Sequence, residues 1–245
     1  MKKLYEKSEI SFAILWIVIY IVGMGTLKNN FGLESLWPVL GLLVISGGML
    51  LFVFQNGLAE QYGLAGWAKN SKAMLWFLPL WFISCLNLFC GFRQDYPMPD
   101  VIYAAASMAL VGFAEEMIFR GFLFKAMLKD GSVKAAIIVA SVAFGLGHIV
   151  NLFTGQDLVE TLNQVAFATA VGFIFTFAFY KGGSLLPCIL AHSLVDVSSV
   201  FAAEEGSQSL DLILHVLIPV LAAAYCFYLA KRVETPAVNR TERKQ

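Results

Sequence analysis

The sequence predicts an all-α membrane protein, a polytopic bundle of about eight transmembrane helices. Of its 245 residues, 59% are hydrophobic and 14% are charged, whereas soluble domains average roughly 45–50% apolar and about 25% charged residues. The mean hydropathy is +0.74. A soluble globule of this size has too little interior to bury so many apolar side chains. The composition also excludes disordered, coiled-coil and collagen-like chains. The net charge of zero gives no indication of a nucleic-acid partner.

Eight apolar runs have about the 17–25 residues that a transmembrane helix needs. They occupy residues 10–28, 36–54, 73–91, 101–125, 134–153, 162–180, 184–202 and 210–230. None alternates like a barrel strand, so each is predicted to be a helix. The first run lacks a small-residue cleavage site and is expected to be a retained span rather than a signal peptide. Residues 231–245 are expected to form a polar, frayed cytoplasmic tail.

The positions of the basic residues provide an independent check on this number of spans. With both termini in the cytoplasm, 14 of the 17 Lys and Arg residues fall on the cytoplasmic side. Lys28 and Arg93 fall outside, and Arg120 lies within the fourth run. This asymmetry obeys the positive-inside rule, and one missing or extra span would scramble it. We therefore expect residues 1–245 to form a single integral membrane domain with cytoplasmic ends.

Seven ionisable residues lie well inside apolar runs, where a charge costs at least about 2.5–3.5 kcal/mol. His215, in the eighth run, stands apart from the other six. Three are in the fourth run, one is in the fifth and two are in the seventh: Glu115, Glu116, Arg120, His148, His192 and Asp196. A rise of 1.5 Å per residue places Glu115, both histidines and Asp196 near one depth. The sequence thus predicts that these residues line one polar cavity, rather than lying at unrelated places in the bundle.

The spacing of these residues predicts which of them share a helix face. Glu116 and Arg120 are four residues apart with the acid first, the better order for an ion pair. Glu115 is rotated by about 100° and projects from a different face. His192 and Asp196 are also four residues apart and share a face.

A carboxylic acid and neutral imidazoles are the components of a general acid–base site that activates water. No Ser-x-x-Lys dyad, G-x-S-x-G elbow or Cys–His pair is apparent, so covalent catalysis has less support. A Glu/His/His set could bind zinc, although the zinc-protease motifs are absent, so the residues permit a metal without requiring one. The same residues could also serve polar packing of the bundle, or a transporter or proton pathway, which predicts inverted repeats that are not evident here.

Three segments also match the motifs of a known family. They read E-E-x-x-x-R followed by Gly-Phe-Leu-Phe, F-x-x-x-H, and H-x-x-x-N with Asp in the last place, over Glu115–Phe124, Phe144–His148 and His192–Asp196. In order and spacing they resemble the CPBP (CAAX protease and bacteriocin-processing, or Abi) family of intramembrane glutamate endopeptidases, which includes the CAAX prenyl endopeptidase. The motifs lie within residues 101–202, and the first three spans match only in hydropathy.

This resemblance implies an eight-span helical fold and proteolysis that needs no metal or other cofactor. Glu115 would be the general base that activates water, assisted by His148. Glu116 and Arg120 would order the first motif. The partners implied are membrane lipid and a membrane-associated peptide or protein substrate, reached from the cytoplasm or from lipid. The compact members of the family resemble prokaryotic proteins, so a multi-pass protein of a prokaryotic plasma membrane is expected.

By the same resemblance, His192 and the residue at position 196 would stabilise the oxyanion of the tetrahedral intermediate. The prenyl-protein proteases carry Asn where this chain has Asp196. An ionised carboxylate cannot donate a hydrogen bond to an oxyanion. Asp196 must therefore be protonated, orient His192 or act in another way. We hypothesise that it is protonated in the active protein. The alternative function within the family is a non-catalytic bacteriocin-immunity or partner-binding protein.

Overall fold

The computed structural model describes residues 1–93, 96–203 and 208–240, without the side chains of Cys90, Asp130 and residues 208–215. The described chain is helical and its one β feature is an isolated bridge between Phe92 and Ala202, which confirms the all-α prediction. Its α-helices are α1 (Lys2–Lys7), α2 (Glu9–Phe31), α3 (Leu36–Gln55), α4 (Leu78–Ser84), α5 (Met98–Glu116), α6 (Lys125–Asp130), α7 (Val133–Gly147), α8 (Leu158–Gly182), α9 (Leu186–Phe201) and α10 (Gln208–Arg232).

Among the described residues, five helical segments are long and apolar enough to cross a membrane. They are Glu9–Phe31, Leu36–Gln55, Met98–Lys129, Val133–Thr154 and Leu158–Gly182. Leu75–Ser84 and Leu186–Phe201 are shorter apolar helical segments. The chain is therefore a helical membrane protein, and the total of eight spans stays a prediction.

Side chains at the helix ends explain where several of these helices begin and end. Ser8 and Ser132 accept a hydrogen bond from the backbone N–H three residues on, and Asp157 accepts two, from Val159 and Glu160. Such caps satisfy the first N–H groups of a helix, which have no intrahelical partner. At the other end of α8, Gly183 takes a left-handed conformation with φ of 68°, which glycine adopts without steric cost.

The third predicted run, residues 73–91, is not one continuous helix. It consists of a 3-10 turn (Leu75–Phe77), α4, and a second 3-10 stretch (Leu86–Cys90). The φ angles of Leu75, Trp76 and Phe77 are 54°, 53° and 59°, in the left-handed region that residues with a Cβ rarely adopt. Pro79 lacks the N–H that a regular helix would direct to the carbonyl of Leu75, so the helix begins anew here.

This irregular segment nevertheless runs alongside α9 in the same direction. Ser84 Oγ donates to the Ala191 carbonyl at 3.0 Å, and Asn87 Nδ2 donates to the Val195 carbonyl at 2.8 Å. The Arg93 N–H then bonds the Phe201 carbonyl at 2.9 Å. These bonds follow α9 toward its end, so the segment stays packed along the bundle despite its breaks.

One end of the bundle gathers most of the basic residues. Lys129 Nζ lies 2.6 Å from Glu9 Oε1, and Lys181 Nζ donates to the Val233 carbonyl at 2.8 Å. These contacts unite the start of α2, the end of α6, the end of α8 and the end of α10. We call this end the lysine-rich face, with the basic residues Lys2, Lys3, Lys7, Lys69, Lys72, Lys125, Lys129, Lys134, Lys181, Lys231, Arg232 and Arg240. The opposite face carries the end of α2, the start of α8 and the end of α9.

The polar tail is not frayed over its described part. Asn239 is fully buried, and its Nδ2 donates to the carbonyls of Phe179 and Tyr180 at 2.8 and 2.9 Å. Lys125 Nζ donates to Asn239 Oδ1 at 2.8 Å and to the Val238 carbonyl at 2.6 Å. The last carbonyls of α8 and the buried ammonium of Lys125 both need hydrogen-bond partners. The tail supplies them, whereas residues 241–245 of the predicted tail lie outside the described residues.

Candidate active site

The structure places four of the six ionisable residues of the fourth, fifth and seventh runs in the wall of one cavity. The cavity has a volume of about 610 Å³ and lies between α2, α5, α7 with the 3-10 stretch His148–Thr154 that follows it, α8 and α9. The four residues are Glu115, His148, His192 and Asp196. Glu116 and Arg120 do not line the cavity, and both are completely buried beside it. The two adjacent acids thus face different surroundings.

Glu116 and Arg120 form a buried ion pair, with Oε1 and Nη1 at 2.9 Å and both side chains fully excluded from the surface. The Arg120 guanidinium carbon also lies 4.0 Å from the centroid of the Phe144 ring, a distance at which the ring face attracts a cation. Arg120 sits in a π-helical stretch, Met117–Phe124, that begins directly after Glu116. Such wide turns occur frequently at functional sites.

Glu116 also orients a residue of the third motif. His192 Nδ1 lies 2.9 Å from Glu116 Oε1. Because an ionised carboxylate only accepts hydrogen bonds, this contact assigns a proton to Nδ1 and turns Nε2 toward the cavity. Nε2 lies 3.5 Å from Asp196 Oδ2 and 3.7 Å from Glu115 Oε2. The imidazole packs against Phe144 and Phe175, each with ring centroids 5.5 Å away.

Glu115 is held by a residue that sequence reasoning did not identify. Tyr20, on α2, donates a hydrogen bond from its hydroxyl to Glu115 Oε1 at 2.7 Å. One carboxylate oxygen is therefore fixed by the phenol, and the other, Oε2, faces His192 across the cavity. The available signal was a phenol between Ile19 and Ile21 in the middle of the first apolar run, since a buried tyrosine hydroxyl needs a partner.

His148 begins the 3-10 stretch that continues α7. Its Nδ1 lies 3.2 Å from the Phe144 carbonyl, so donation from Nδ1 leaves Nε2 free toward the cavity. Asn151, one turn further on, lines the same cavity and donates to Gln164 Oε1 at 2.8 Å. This bond ties the stretch to α8 and so helps to position His148.

The described atoms also bear on Asp196 and on the zinc alternative. Asp196 Oδ2 is buried, and no described residue gives it a hydrogen-bond partner. Within the described ranges, no group of three or more His, Cys, Asp and Glu side chains is arranged to hold a metal ion. Metal independence and the protonation of Asp196 both stay hypotheses.

We predict that Arg120→Met lowers the free energy of unfolding by about 3–5 kcal/mol, because it leaves the buried Glu116 carboxylate without its cation. The double variant Glu116→Gln/Arg120→Met removes both charges and should lose less than the two single variants together. Denaturant unfolding of the four proteins in detergent measures both effects. Additive losses would show that the two charges do not interact.

Comparisons with known proteins agree with the three motifs. Residues 97–198 match the family described as "Type II CAAX prenyl endopeptidase Rce1-like", and this range contains all three motifs. The chain is also 24% identical over 216 residues to a protein of Bacillus subtilis (strain 168) named "Putative membrane peptidase YdiL", covering 81% of this chain and 71% of the relative. No solved structure matches the chain. The resemblance to the CAAX-protease family is thereby confirmed over residues 97–198, which are similar to the Rce1-like type II CAAX prenyl endopeptidases.

Proposed function

We propose that this protein is an intramembrane endopeptidase in which Glu115 activates the water that attacks a peptide bond. The observation that carries the proposal is the environment of this carboxylate. Tyr20 holds Oε1, while Oε2 faces a cavity whose wall also contains His148 and His192. Its neighbour Glu116 is already paired with Arg120 and has no access to that cavity.

The proposed reaction begins when Glu115 Oε2 accepts a proton from water and the resulting hydroxide attacks the carbonyl carbon of the peptide bond. His148 assists through Nε2, which faces the same space. The tetrahedral intermediate collapses when the C–N bond breaks and the proton held by Glu115 passes to the leaving amine. One carboxyl group thus serves as base and then as acid. No step requires a metal or other cofactor.

The oxyanion of that intermediate needs hydrogen-bond donors. His192 can donate from Nε2 only when both ring nitrogens carry protons, because the Nδ1 proton is directed to Glu116. A protonated Asp196 carboxyl, 3.5 Å from Nε2, would supply a second donor. The substrate is a peptide or protein segment held at the membrane, in keeping with the protease family of residues 97–198.

The test is cleavage of a membrane-peptide library by the purified protein. We expect Glu115→Gln and His148→Ala each to lower the rate by about 10²–10⁴-fold, the usual contribution of a general acid–base group. Glu6→Gln, an exposed acid on α1, should leave it unchanged. A chelator should have no effect on the wild-type rate.

Two results would contradict this assignment. Cleavage that persists in Glu115→Gln would remove the proposed base. Loss of cleavage in chelator would instead make the cavity residues metal ligands. A library that the wild-type protein leaves intact would favour the non-catalytic immunity or partner-binding alternative.

Tyr20→Phe should reduce kcat by roughly 10- to 100-fold with little change in KM, because a hydrogen bond to a charged group contributes about 1.5–3 kcal/mol. Tyr225→Phe is the matched control. Tyr225 is also buried and donates to a carbonyl, that of Met74, at 2.8 Å, but it does not line the cavity. If both variants lost activity equally, Tyr20 would have only a structural role.

The hypothesis on Asp196 distinguishes two substitutions. Asp196→Asn keeps a hydrogen-bond donor at this position and should retain cleavage. Asp196→Ala should lose about 10²–10³-fold in kcat, the usual effect of removing one oxyanion donor. Steady-state kinetics of both variants, with matching thermal unfolding curves, make the comparison. The reverse order of activities would exclude a donor role.

A further inference from the structure

As lined by the described residues, the cavity extends from the level of Glu115 toward one end of the bundle. Beyond Glu115 its wall continues into polar residues at the end of α2, in the 3-10 stretch after α7 and near the start of α8. We call these residues the rim: Lys28, Asn29, Asn30, Asn151, Thr154 and Gln164. All lie toward the opposite face. The cavity wall includes no basic residue of the lysine-rich face.

Toward the lysine-rich face, buried aromatic side chains close the bundle. Phe12 and Trp16 precede Tyr20 on α2 by about two turns and one turn, and are 1% and 5% exposed. Phe122 packs against Phe12 and against Tyr62, with ring centroids 5.1 Å apart in each pair. A peptide coming from this side would have to displace this cluster and the ion pair beside it.

The charge distribution assigns these two ends to the two sides of a membrane. Of the basic residues that the structure describes, Lys28 and Arg93 lie toward the opposite face, whereas Arg120 is buried and the others belong to the lysine-rich face. Cytoplasmic ends of membrane helices carry the excess of Lys and Arg. The lysine-rich face is then cytoplasmic, and the rim lies on the extracytoplasmic side.

We propose that the substrate is a polypeptide segment presented on the extracytoplasmic side, which reaches Glu115 through the rim in an extended conformation. This proposal rests on the proposed function and differs from the approach from the cytoplasm or from lipid that was expected from the sequence. From Tyr20 to Lys28, α2 rises about 12 Å at 1.5 Å per residue. An extended chain covers that distance with about four residues at 3.3–3.6 Å each. The substrate therefore needs about four unfolded residues beside the bond that is cut.

The rim has the chemistry to hold such a segment. Asn151 Nδ2 is directed to Gln164 Oε1, which leaves Asn151 Oδ1 and Gln164 Nε2 to pair with a peptide backbone. Asn29, which lines the same cavity, is exposed. Backbone amides of an extended peptide need such partners once they leave water.

A thiol-labelling experiment tests the sidedness without a known substrate. Cys85 and Cys90 are replaced by Ser, while Cys188 and Cys226, which are buried, stay. Asn29→Cys then reports on the rim, and Lys69→Cys, exposed on the lysine-rich face, is the matched control. A membrane-impermeant maleimide should label position 29 in right-side-out vesicles only and position 69 in inverted vesicles only. The opposite pattern would overturn the proposal.

A cleavage experiment separates the route from the activity itself. A membrane-impermeant fluorogenic peptide, taken from the library screen, is added to sealed vesicles of each orientation. We expect at least tenfold faster cleavage by right-side-out vesicles, equal rates after detergent, and slower cleavage once position 29 carries the maleimide. Cleavage by inverted vesicles alone would refute extracytoplasmic access and leave the protease intact. Cleavage that persists in Glu115→Gln would contradict the proposed function instead.

Discussion

The ion pair between Glu116 and Arg120 is the interaction on which the arrangement of the site depends. Two charges excluded from water cost several kcal/mol each, and only close, well-oriented partners offset that cost. Here the partners come from three segments: Arg120 from the π-helical stretch, Phe144 from α7 and His192 from α9. Because Phe144 contacts the Arg120 guanidinium and His192 bonds the Glu116 carboxylate, the ion pair connects the three motif-bearing segments.

The adjacency of the two acids follows from helix geometry. Neighbouring residues on an α-helix point about 100° apart, so one carboxylate can enter the packed interior while the next faces a cavity. Glu116 Oε1 thereby orients His192 through its Nδ1 atom. Glu115 Oε2 lies 3.7 Å from Nε2 of the same imidazole. A single helical turn thus supplies both the proposed reactive group, Glu115, and the group that positions His192, which is Glu116.

Much of this could be predicted from the sequence because hydropathy and residue spacing are local properties. The membrane class, the different faces of Glu115 and Glu116, and the small set of intramembrane charges all follow from them. The contact of Tyr20 with Glu115 could not be predicted because the two residues are 95 positions apart, and no periodicity links α2 to α5. The breaks at Leu75–Phe77 could not be predicted because hydropathy carries no information on backbone conformation. The buried contacts of Asn239 could not be predicted either, because they are made with Lys125 and the end of α8, which composition alone does not place near the tail.

The docking of Asn239 has a consequence for how the protein is made. Lys125 and Asn239 are separated by 114 residues, so during synthesis α6 leaves the ribosome well before its acceptor does. Until Asn239 arrives, the ammonium of Lys125 and the terminal carbonyls of α8 must be satisfied by water. The lysine-rich side of the bundle therefore stays hydrated while the later helices insert, and it closes only after residues 233–240 fold back.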